Sequence, residues 1–392
     1  MNWLFISMYM VFGICCFIVF FAMIGYPLLL KIIDLIAKPK KITKDYEYEP
    51  TVTILIPAHN EEDVIRKKIE NCFSLDYPSN KLEVVVTSDH STDKTNEIVE
   101  QYKKEFPDKK LRLYVTQKRM GKTNAQNEAQ KTIHSEILFM SDVNAYLAKD
   151  AIREIVCCFT SPNIVYVAGR QSYTNDTENR TSNSDGFYLK LDLYMRDVES
   201  RLQTITAANG AIYAVRNDQY HQFKPIACHD EAMPYYYARK KQKALYNPDA
   251  IAYEKAGESI KDEFKRKVRM NRSILDNFWN WIRTWNIFKY KWFSVFFFGH
   301  RFCRYSLWWC HLLALASCIV LSCFLNIFGL VLTGLHIIVI IIAIISIKAQ
   351  PKNLLLRMIG YYCMTVWAQY VGVFKILTGK AKPFWQRADS TR

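Results

Sequence analysis

Long apolar stretches at both ends of the chain constrain its fold more than any other feature. From Trp3 to Ile36 the only charged residues are Lys31 and Asp34. About 20 apolar residues suffice to carry a helix across the hydrocarbon core of a bilayer. The stretch therefore predicts an N-terminal transmembrane helix over 1–36. A cleaved signal peptide is the alternative, but its apolar region is shorter and follows a basic segment, and no such segment precedes this run.

The C-terminal apolar region predicts two to three further helices within 304–379. The stretch 305–347 is long enough for two spans, and 354–377 is a candidate for a third. Before them, 273–303 alternates tryptophan and phenylalanine with arginine and lysine, which is typical of an amphipathic segment at the headgroup level. Three C-terminal spans would place the basic tail 380–392 outside, against the positive-inside tendency. Either this chain departs from that tendency or one segment is re-entrant or interfacial.

The distribution of charge indicates which partners to expect. A lysine-rich flank, "KPKKITK" at 38–44, is typical of the cytoplasmic side of a span. It predicts a cytosolic domain over 45–272 in an integral protein of the inner or plasma membrane. The formal net charge is +15, and the basic residues concentrate near the membrane segments and in 239–272. Because no nucleic-acid-binding motif accompanies them, membrane lipids and a diphosphate ligand are the expected partners, and nucleic acid is not.

The central region alternates strand and helix patterns. β-branched apolar runs such as "TVTILIP" and "LEVVVTS" predict buried strands. Between them "EEDVIRKKIENCF" has apolar residues at helical spacing, and "STDKTNEIVEQY" predicts a helix with a serine or threonine cap. The pattern continues with strand "LRLYV", a helix from "GKTNAQNEAQ" and strand "EILFM". Such alternation predicts an α/β fold with a mostly parallel sheet covered by helices.

Acidic residues follow three of the predicted strands. Glu61, Asp89 and Asp142 come just after the first, second and fourth strands in chain order. A single acid at a strand end is commonly a turn former or a helix cap. Acids after three of the strands favour a ligand site, because ligands of parallel sheets bind beyond the carboxyl ends of the strands. Carboxylates suit hydrogen bonds to a base or ribose, or a cation that meets phosphates.

Six short stretches, in this order, resemble those of the family 2 glycosyltransferases: "IPAHNEE", "SDHSTDKT", "KRMGKTNAQN", "SDVN", "HDEAMP" and "RKVRM". The resemblance extends over about 50–275. It implies a GT-A, Rossmann-like nucleotide-diphospho-sugar transferase domain in a membrane-integrated, inverting enzyme similar to the cellulose, hyaluronan and poly-N-acetylglucosamine synthases.

The resemblance also implies a donor site and a metal site. By this resemblance, the residues that would bind the nucleoside are Pro57, Ala58, Glu61 and Asp89. Lys122 would reach toward the nucleotide-sugar donor. "SDVN" corresponds to the family's DxD element, so Asp142 and Asn144 would bind Mg²⁺ or Mn²⁺ against the diphosphate. Asn144 stands where the pattern has its second acid, and an amide oxygen ligates these cations without charge.

The resemblance also implies which residues would act on the acceptor and on the leaving diphosphate. Asp230 of "HDEAMP" matches the catalytic base, and Glu231 beside it is the rival. Arg266 and Arg269 would lie near the diphosphate, while Met270 replaces the acceptor-side tryptophan of the QxxRW element. Gly210 in "TAANGAIYAVR" resembles the acceptor-side element, where a glycine permits close approach; a simple strand turn is the alternative.

The resulting expectation is a hexosyl- or N-acetylhexosaminyltransferase. It would move a sugar from a nucleotide-sugar donor, expected to be UDP-linked, to a lipid-linked or glycan acceptor at the cytosolic face. A processive synthase that exports its polymer is the first alternative, which the length of the product would distinguish. A non-catalytic sugar-nucleotide sensor is the second, because Asn144 and Met270 depart from the family pattern.

Overall fold

The computed structural model describes residues 2–174, 180–255, 260–351 and 353–384, with side chains given outside 175–188. In this part of the chain eight strands form one sheet in the order β3-β2-β1-β4-β7-β6-β8-β5. The strands are β1 Val52–Ala58, β2 Leu82–Ser88, β3 Leu111–Val115, β4 Ile137–Met140, β5 Tyr146–Leu147, β6 Ile164–Tyr173, β7 Tyr213–Arg216 and β8 Lys243–Glu254.

Helices surround the sheet and continue at both ends of the chain. They are α1 Asn2–Phe20, α2 Tyr26–Ala37, α3 Ile65–Phe73, α4 Thr95–Glu105, α5 Lys122–Gln130, α6 Ala151–Val156, α7 Arg180–Leu202, α8 His229–Arg239, α9 Ile260–Met270, α10 Asp276–Thr284, α11 Ile287–Tyr290, α12 Trp292–Phe296, α13 Leu307–Cys323, α14 Ile327–Ala349 and α15 Leu354–Leu377. Two π-helical turns, Phe21–Gly25 and Phe297–Cys303, join α1 to α2 and extend α12.

Six of the eight described strands run in the same direction. β3, β2, β1 and β4 run parallel, as the strand and helix alternation predicts. β7 is antiparallel to β4, and β6 is antiparallel to β7, so β6 and its parallel neighbour β8 again run in the direction of β4. All seven residues of β1 are buried because helices cover both faces of the sheet. The sheet is therefore mixed, and the prediction of a mostly parallel sheet is confirmed, since among the eight described strands β7 and β5 run against the other six.

The start of α4, the helix between β2 and β3, is capped differently from the prediction. The Oδ1 atom of Asp93 accepts a hydrogen bond from the backbone N–H of Thr95 at 3.0 Å. The hydroxyl of Thr95 in turn accepts from the backbone N–H of Glu61 at 2.8 Å. An aspartate thus takes the place expected of Ser91 or Thr92, and the start of α4 is tied to the end of β1.

Two helical segments among the described residues are long and apolar enough to cross a membrane, Trp3–Ala37 and Ile327–Ala349. Trp292–Cys303 and Leu307–Cys323, which meet at 62°, make a third if they form one bent span. These segments match the prediction of an N-terminal and a C-terminal helix that are apolar enough to cross a membrane. α15 falls outside this set, and one of its buried residues is Gln369, whose Oε1 atom accepts from the backbone N–H of Trp308 at 3.1 Å.

The amphipathic segment expected over 273–303 divides into two parts. In its first part Trp279, Trp285 and Phe288 are exposed, as a headgroup-level helix requires. In its second part Phe293 and Phe296 are buried against other helices. The second part therefore belongs to the packed helical region and not to an exposed surface.

Candidate active site

The tips of β2, β1 and β4 lie side by side, because these strands are neighbours and parallel. Glu61 follows β1 and Asp89 follows β2, and both are about 1% exposed. Asp142 follows β4. The topology thus brings the three acids predicted from the sequence to one edge of the sheet. Pro57 and Ala58 end β1 at this edge, and the Ala58 carbonyl accepts from the Asp89 N–H at 2.9 Å.

The carboxylate of Asp89 holds the loop that leads into α5. Its Oδ1 atom accepts from the backbone N–H of Met120 at 3.0 Å, and its Oδ2 atom accepts from that of Gly121 at 2.9 Å. Gly121 has φ +92°, which other residues rarely adopt. A side chain at Gly121 would also meet the carbonyl oxygen of Pro383, beyond the last helix. Asp89 therefore acts on Lys122 indirectly, by fixing the turn that presents it.

Lys122 and Asp142 form an ion pair at the centre of the site. Burial lowers the pKa of Lys122, but the charges of Asp142 and Asp230 outweigh it and the pKa is raised, so the ammonium stays charged. Gly210 packs directly on the pair: a Cβ at this position would lie 2.7 Å from Nζ of Lys122 and 3.0 Å from Oδ2 of Asp142. The close approach expected at Gly210 is thus to this ion pair.

Asp230 and Glu231 start α8 but have different surroundings. Arg301 donates to Oε1 of Glu231, and the Ser273 hydroxyl donates to its Oε2 at 3.4 Å. The Asp230 carboxylate accepts no side-chain hydrogen bond among the described residues. Burial raises the pKa of Asp230, while Lys122 opposes the rise. A carboxylate that is partly buried, accepts no side-chain hydrogen bond and has a raised pKa is better suited to accept a proton than one held by arginine.

Glu254 is a fourth acid at this edge that the sequence reasoning missed. It ends β8, which runs parallel to β6, and Gln171 donates to its Oε2 atom. Burial and the charge of Asp142 raise the pKa of Glu254 to about 7. The other acids were found because each lies at the end of a predicted strand. Glu254 would have been found in the same way if the stretch "KALYNPDAIAYE" had been recognised as a strand despite its internal proline.

The predicted diphosphate arginines differ from each other. Arg266 is held by Glu263, with Nε and Nη2 donating at 2.6 and 2.8 Å to its two oxygens, although its charge still acts on Glu254. Arg269 interacts electrostatically with Asp142. Met270, at the end of the same helix, is 45% exposed. Of the two arginines, Arg269 is the one whose charge acts on the centre of the site.

The residues at the β4 tip could supply only some of the ligands of a metal ion. Within the described ranges no group of three or more histidine, cysteine, aspartate or glutamate side chains could hold a metal. Asp142 offers one carboxylate and Asn144 one amide oxygen, and both are partly exposed. Mg²⁺ and Mn²⁺ accept oxygen ligands, and Mg²⁺ in particular is often held by one or two carboxylates together with substrate phosphates and waters.

The architecture is similar to that of a protein of known structure. Over 94% of the chain and 99% of the other, the fold matches a mannosyltransferase, PcManGT from Pyrobaculum calidifontis, whose structure was solved in complex with GDP-Man and Mn²⁺; the TM-score is 0.72 and the identity 21%. This likeness shows the fold: a mixed α/β sheet of the GT-A type with flanking helices.

Sequence relatives agree with the fold. The beta-monoglucosyldiacylglycerol synthase of Synechocystis sp. is 32% identical over 147 residues, which cover 38% of this chain and 31% of the relative. The poly-beta-1,6-N-acetyl-D-glucosamine synthase of Staphylococcus epidermidis is 22% identical over 252 residues, covering 62% and 60%. The chain spans about a third of the length of the beta-monoglucosyldiacylglycerol synthases it matches.

The model of the family Glycosyl transferase family 2 matches residues 53–223, which include the tips of β1, β2 and β4 and the start of α5. Residues 53–223 therefore carry a glycosyl transferase family 2 domain, as the four stretches inside this range predicted; "HDEAMP" and "RKVRM" lie outside it.

Proposed function

We propose that this protein is a membrane-bound inverting glycosyltransferase that moves a sugar from a nucleotide-sugar donor to a lipid-linked or glycan acceptor at the cytosolic membrane face. The observation that carries the proposal is the convergence of Lys122, Asp142 and Asp230, whose charges act on one another around Gly210. The family domain and the fold of the mannosyltransferase support the same reaction class.

The donor is expected to bind along the tips of β1 and β2. Pro57, Ala58 and Glu61 form the floor on which a nucleoside would lie, and Asp89 orders the loop beside it. The ammonium of Lys122 and the guanidinium of Arg269 place positive charge where the diphosphate leaves. Fixed charges of this kind stabilise a leaving group most in a site that excludes water.

A divalent cation fits the site with Asp142 and Asn144 as its protein ligands. When bound, such a cation neutralises charge on the departing diphosphate. Lys122 pairs with Asp142 in the structure, so the ammonium neutralises this carboxylate whenever the cation is not there. Mn²⁺ accompanies GDP-Man in the mannosyltransferase structure, which supports a divalent-metal requirement here.

Asp230 is the proposed base for the acceptor hydroxyl. Its burial favours the protonated form and therefore makes its carboxylate a stronger proton acceptor than an exposed one. Glu231 is expected to position α8 through its ion pair with Arg301 instead. Direct displacement by the acceptor inverts the anomeric carbon and needs no covalent enzyme intermediate.

The acceptor class follows from the membrane helices and from the relatives. A synthase of monoglucosyldiacylglycerol and a synthase of poly-N-acetylglucosamine are among the similar proteins, so a lipid or a glycan acceptor is supported. The proposed layout is a helix over 1–36, a cytosolic domain over 45–272 and a membrane region over 304–379 with a basic tail beyond it.

The test is a panel of nucleotide sugars assayed for release of the nucleoside diphosphate by the full chain in detergent, with Mn²⁺, with Mg²⁺ and with a chelator. At least one donor should be turned over in a metal-dependent reaction. Asp230→Asn should lower turnover of that donor by about 100-fold or more, the usual contribution of a general base. Glu231→Gln is the matched control, and its turnover of the same donor should fall much less. Equal losses in the two variants would remove Asp230 from its role, and no release with any donor would reject the transferase function.

A further inference from the structure

Lys68 on α3 occupies a position where this helix otherwise buries apolar residues. Its side chain is fully buried, and the other buried residues of α3 are Ile65, Ile69 and Cys72. These positions recur at helical spacing and pack against the strands of the sheet. Lysine is almost never fully buried unless it is paired, because an ammonium group loses its hydration there. The contacts of Lys68 must therefore explain why the chain carries a lysine at this place.

The side chain of Lys68 bridges the two ends of the loop that joins β4 to β5. Its Nζ atom donates to the hydroxyl of Ser141 at 2.7 Å and to the backbone carbonyl of Ala145. Ser141 directly follows β4, and Ala145 directly precedes β5. Asp142 and Asn144, the two proposed cation ligands, lie between these ends. One buried side chain thus fixes the first and the last residue of the loop that carries both ligands.

The contact with Ser141 extends to the opposite side of the site. The Ser141 hydroxyl has one proton, which it donates to the backbone carbonyl of Ala211 at 2.9 Å. Its oxygen accepts from Lys68 at the same time, so the two hydrogen bonds form a chain with a fixed direction. Ala211 follows Gly210, which packs on the ion pair at the centre of the site. Lys68 therefore connects the tip of β4 to the segment that carries Gly210.

The same helix holds β5 through a second polar residue, Asn71. Its side-chain amide donates to the backbone carbonyl of Leu147 at 2.9 Å and accepts from the backbone N–H of Leu147 at 2.8 Å. Asn71 is three residues beyond Lys68, so the two side chains lie on one side of α3. Asn71 attaches the strand to the helix, whereas Lys68 attaches the loop that leads into it.

Lys68 also interacts electrostatically with two acids of the site, Asp142 and Glu254. Glu254 follows Tyr253, the β8 partner of Tyr146, and so lies across from the end of the loop. A methionine at position 68 would be similar in length and would avoid the cost of burying an amine. It would supply neither of the two hydrogen bonds, and it would not interact with these carboxylates.

We propose that Lys68 holds the loop 141–145 in the shape that binds a divalent cation, and that it is thereby a positioning residue of the transferase site. It acts through the two ends of the loop and is not itself a ligand. Groups that orient metal ligands in this way typically contribute about tenfold to a hundredfold in metal affinity. The role in cation binding rests on the proposed function, whereas the hold on the loop does not.

The first test is calorimetric titration of the full chain in detergent with UDP and with GDP, in the presence and in the absence of Mn²⁺. Lys68→Met should lose about tenfold to a hundredfold of the affinity that Mn²⁺ adds in the wild type. Its affinity without Mn²⁺ should equal that of the wild type. Lys67→Met is the matched control: Lys67 is the exposed neighbour on α3, and both affinities should be unchanged in this variant.

This titration separates positioning from a merely structural role. A lysine that only stabilises the fold would change the fraction of folded protein, and hence the number of binding sites, but not the affinity gained from Mn²⁺. The same gain in Lys68→Met as in the wild type would therefore overturn the proposal.

Hydrogen exchange of the metal-free protein tests the loop without any ligand. In Lys68→Met the backbone amides of 141–145 should exchange about tenfold faster or more, the range for losing a hydrogen bond to a charged group, while those of β1 and β2 keep their rates. Equal acceleration in the loop and in these strands would mean a loss of global stability and would contradict the hold on the loop. Should Lys68→Met fail to fold, Ser141→Ala removes one of the two acceptors and decides by the same criterion, with an expected acceleration of a few-fold.

The two measurements keep two failures apart. If exchange rises only in the loop but the wild type binds neither UDP nor GDP, the hold on the loop stands and the proposed function falls. If Mn²⁺ strengthens nucleotide binding equally in the wild type and in Lys68→Met, the proposed function stands and the positioning role falls.

Discussion

Glu254 makes the stability of the protein depend on pH in a direction that can be worked out from the structure. Its pKa is raised from about 4.5 to about 7 because it is buried and faces the charge of Asp142. The folded state therefore binds a proton more tightly than the unfolded state does. In such a case stability falls as the pH rises through the window from about 4.5 to about 7.

The size of this effect follows from the two pKa values. One pKa unit corresponds to about 1.36 kcal/mol, so the full effect is at most about 3.4 kcal/mol. At pH 5 a part of this stability has already been lost. The linkage relation therefore predicts a further loss of about 2.5 kcal/mol between pH 5 and pH 8. Loss of this much is a large fraction of the stability of an ordinary domain.

The assay compares urea unfolding of the wild type and of Glu254→Gln, in detergent with a chelator, at pH 5, 6, 7 and 8. The wild type should lose about 2.5 kcal/mol relative to the variant over this range. Glu97→Gln removes an exposed glutamate on α4 and serves as the matched control. Parallel curves for wild type and Glu254→Gln would refute the reasoning, because they would mean that the carboxyl ionises alike in the folded and unfolded states.

Further variants test separate contacts of the site. Gly210→Ala should displace the Lys122 ammonium and lower turnover by up to about 100-fold through misplacement, with Gly13→Ala, in open space on α1, as the control in the same assay. Asp89→Ala leaves two backbone N–H groups of the 120–121 turn without their acceptor, so the free energy of unfolding should fall by about 1–3 kcal/mol in urea titrations; no loss would mean that the turn is held in some other way.

Local patterns account for the part of the fold that the sequence predicts. β1 to β4 were predictable because buried parallel strands are continuous apolar runs, and α3 to α5 because their apolar residues recur at helical spacing. The mixed second half of the sheet was not, since β8 contains a proline and polar residues and its pairing with β6 joins residues about 80 positions apart. Such pairings depend on tertiary packing and leave no local signature.

The candidate site shows the same division. The acids at 61, 89 and 142 were identified because strand tips of a parallel sheet share an edge, and Glu254 was overlooked together with its strand. The pairings of Lys122 with Asp142 and of Arg266 with Glu263 depend on side-chain rotamers and on which helix faces which strand.

The most direct test of the account is the equilibrium binding of a nucleoside diphosphate, measured by calorimetry with UDP and with GDP, in the presence and absence of Mn²⁺. The central claim is that the tips of β1, β2 and β4 form one nucleotide-diphosphate site with Asp142 at its centre. The wild type should bind one of the two more tightly with Mn²⁺, and Asp142→Asn should lose at least about tenfold of that affinity, or 1.4 kcal/mol. Binding by Asp142→Asn with the affinity and the Mn²⁺ dependence of the wild type would contradict the claim.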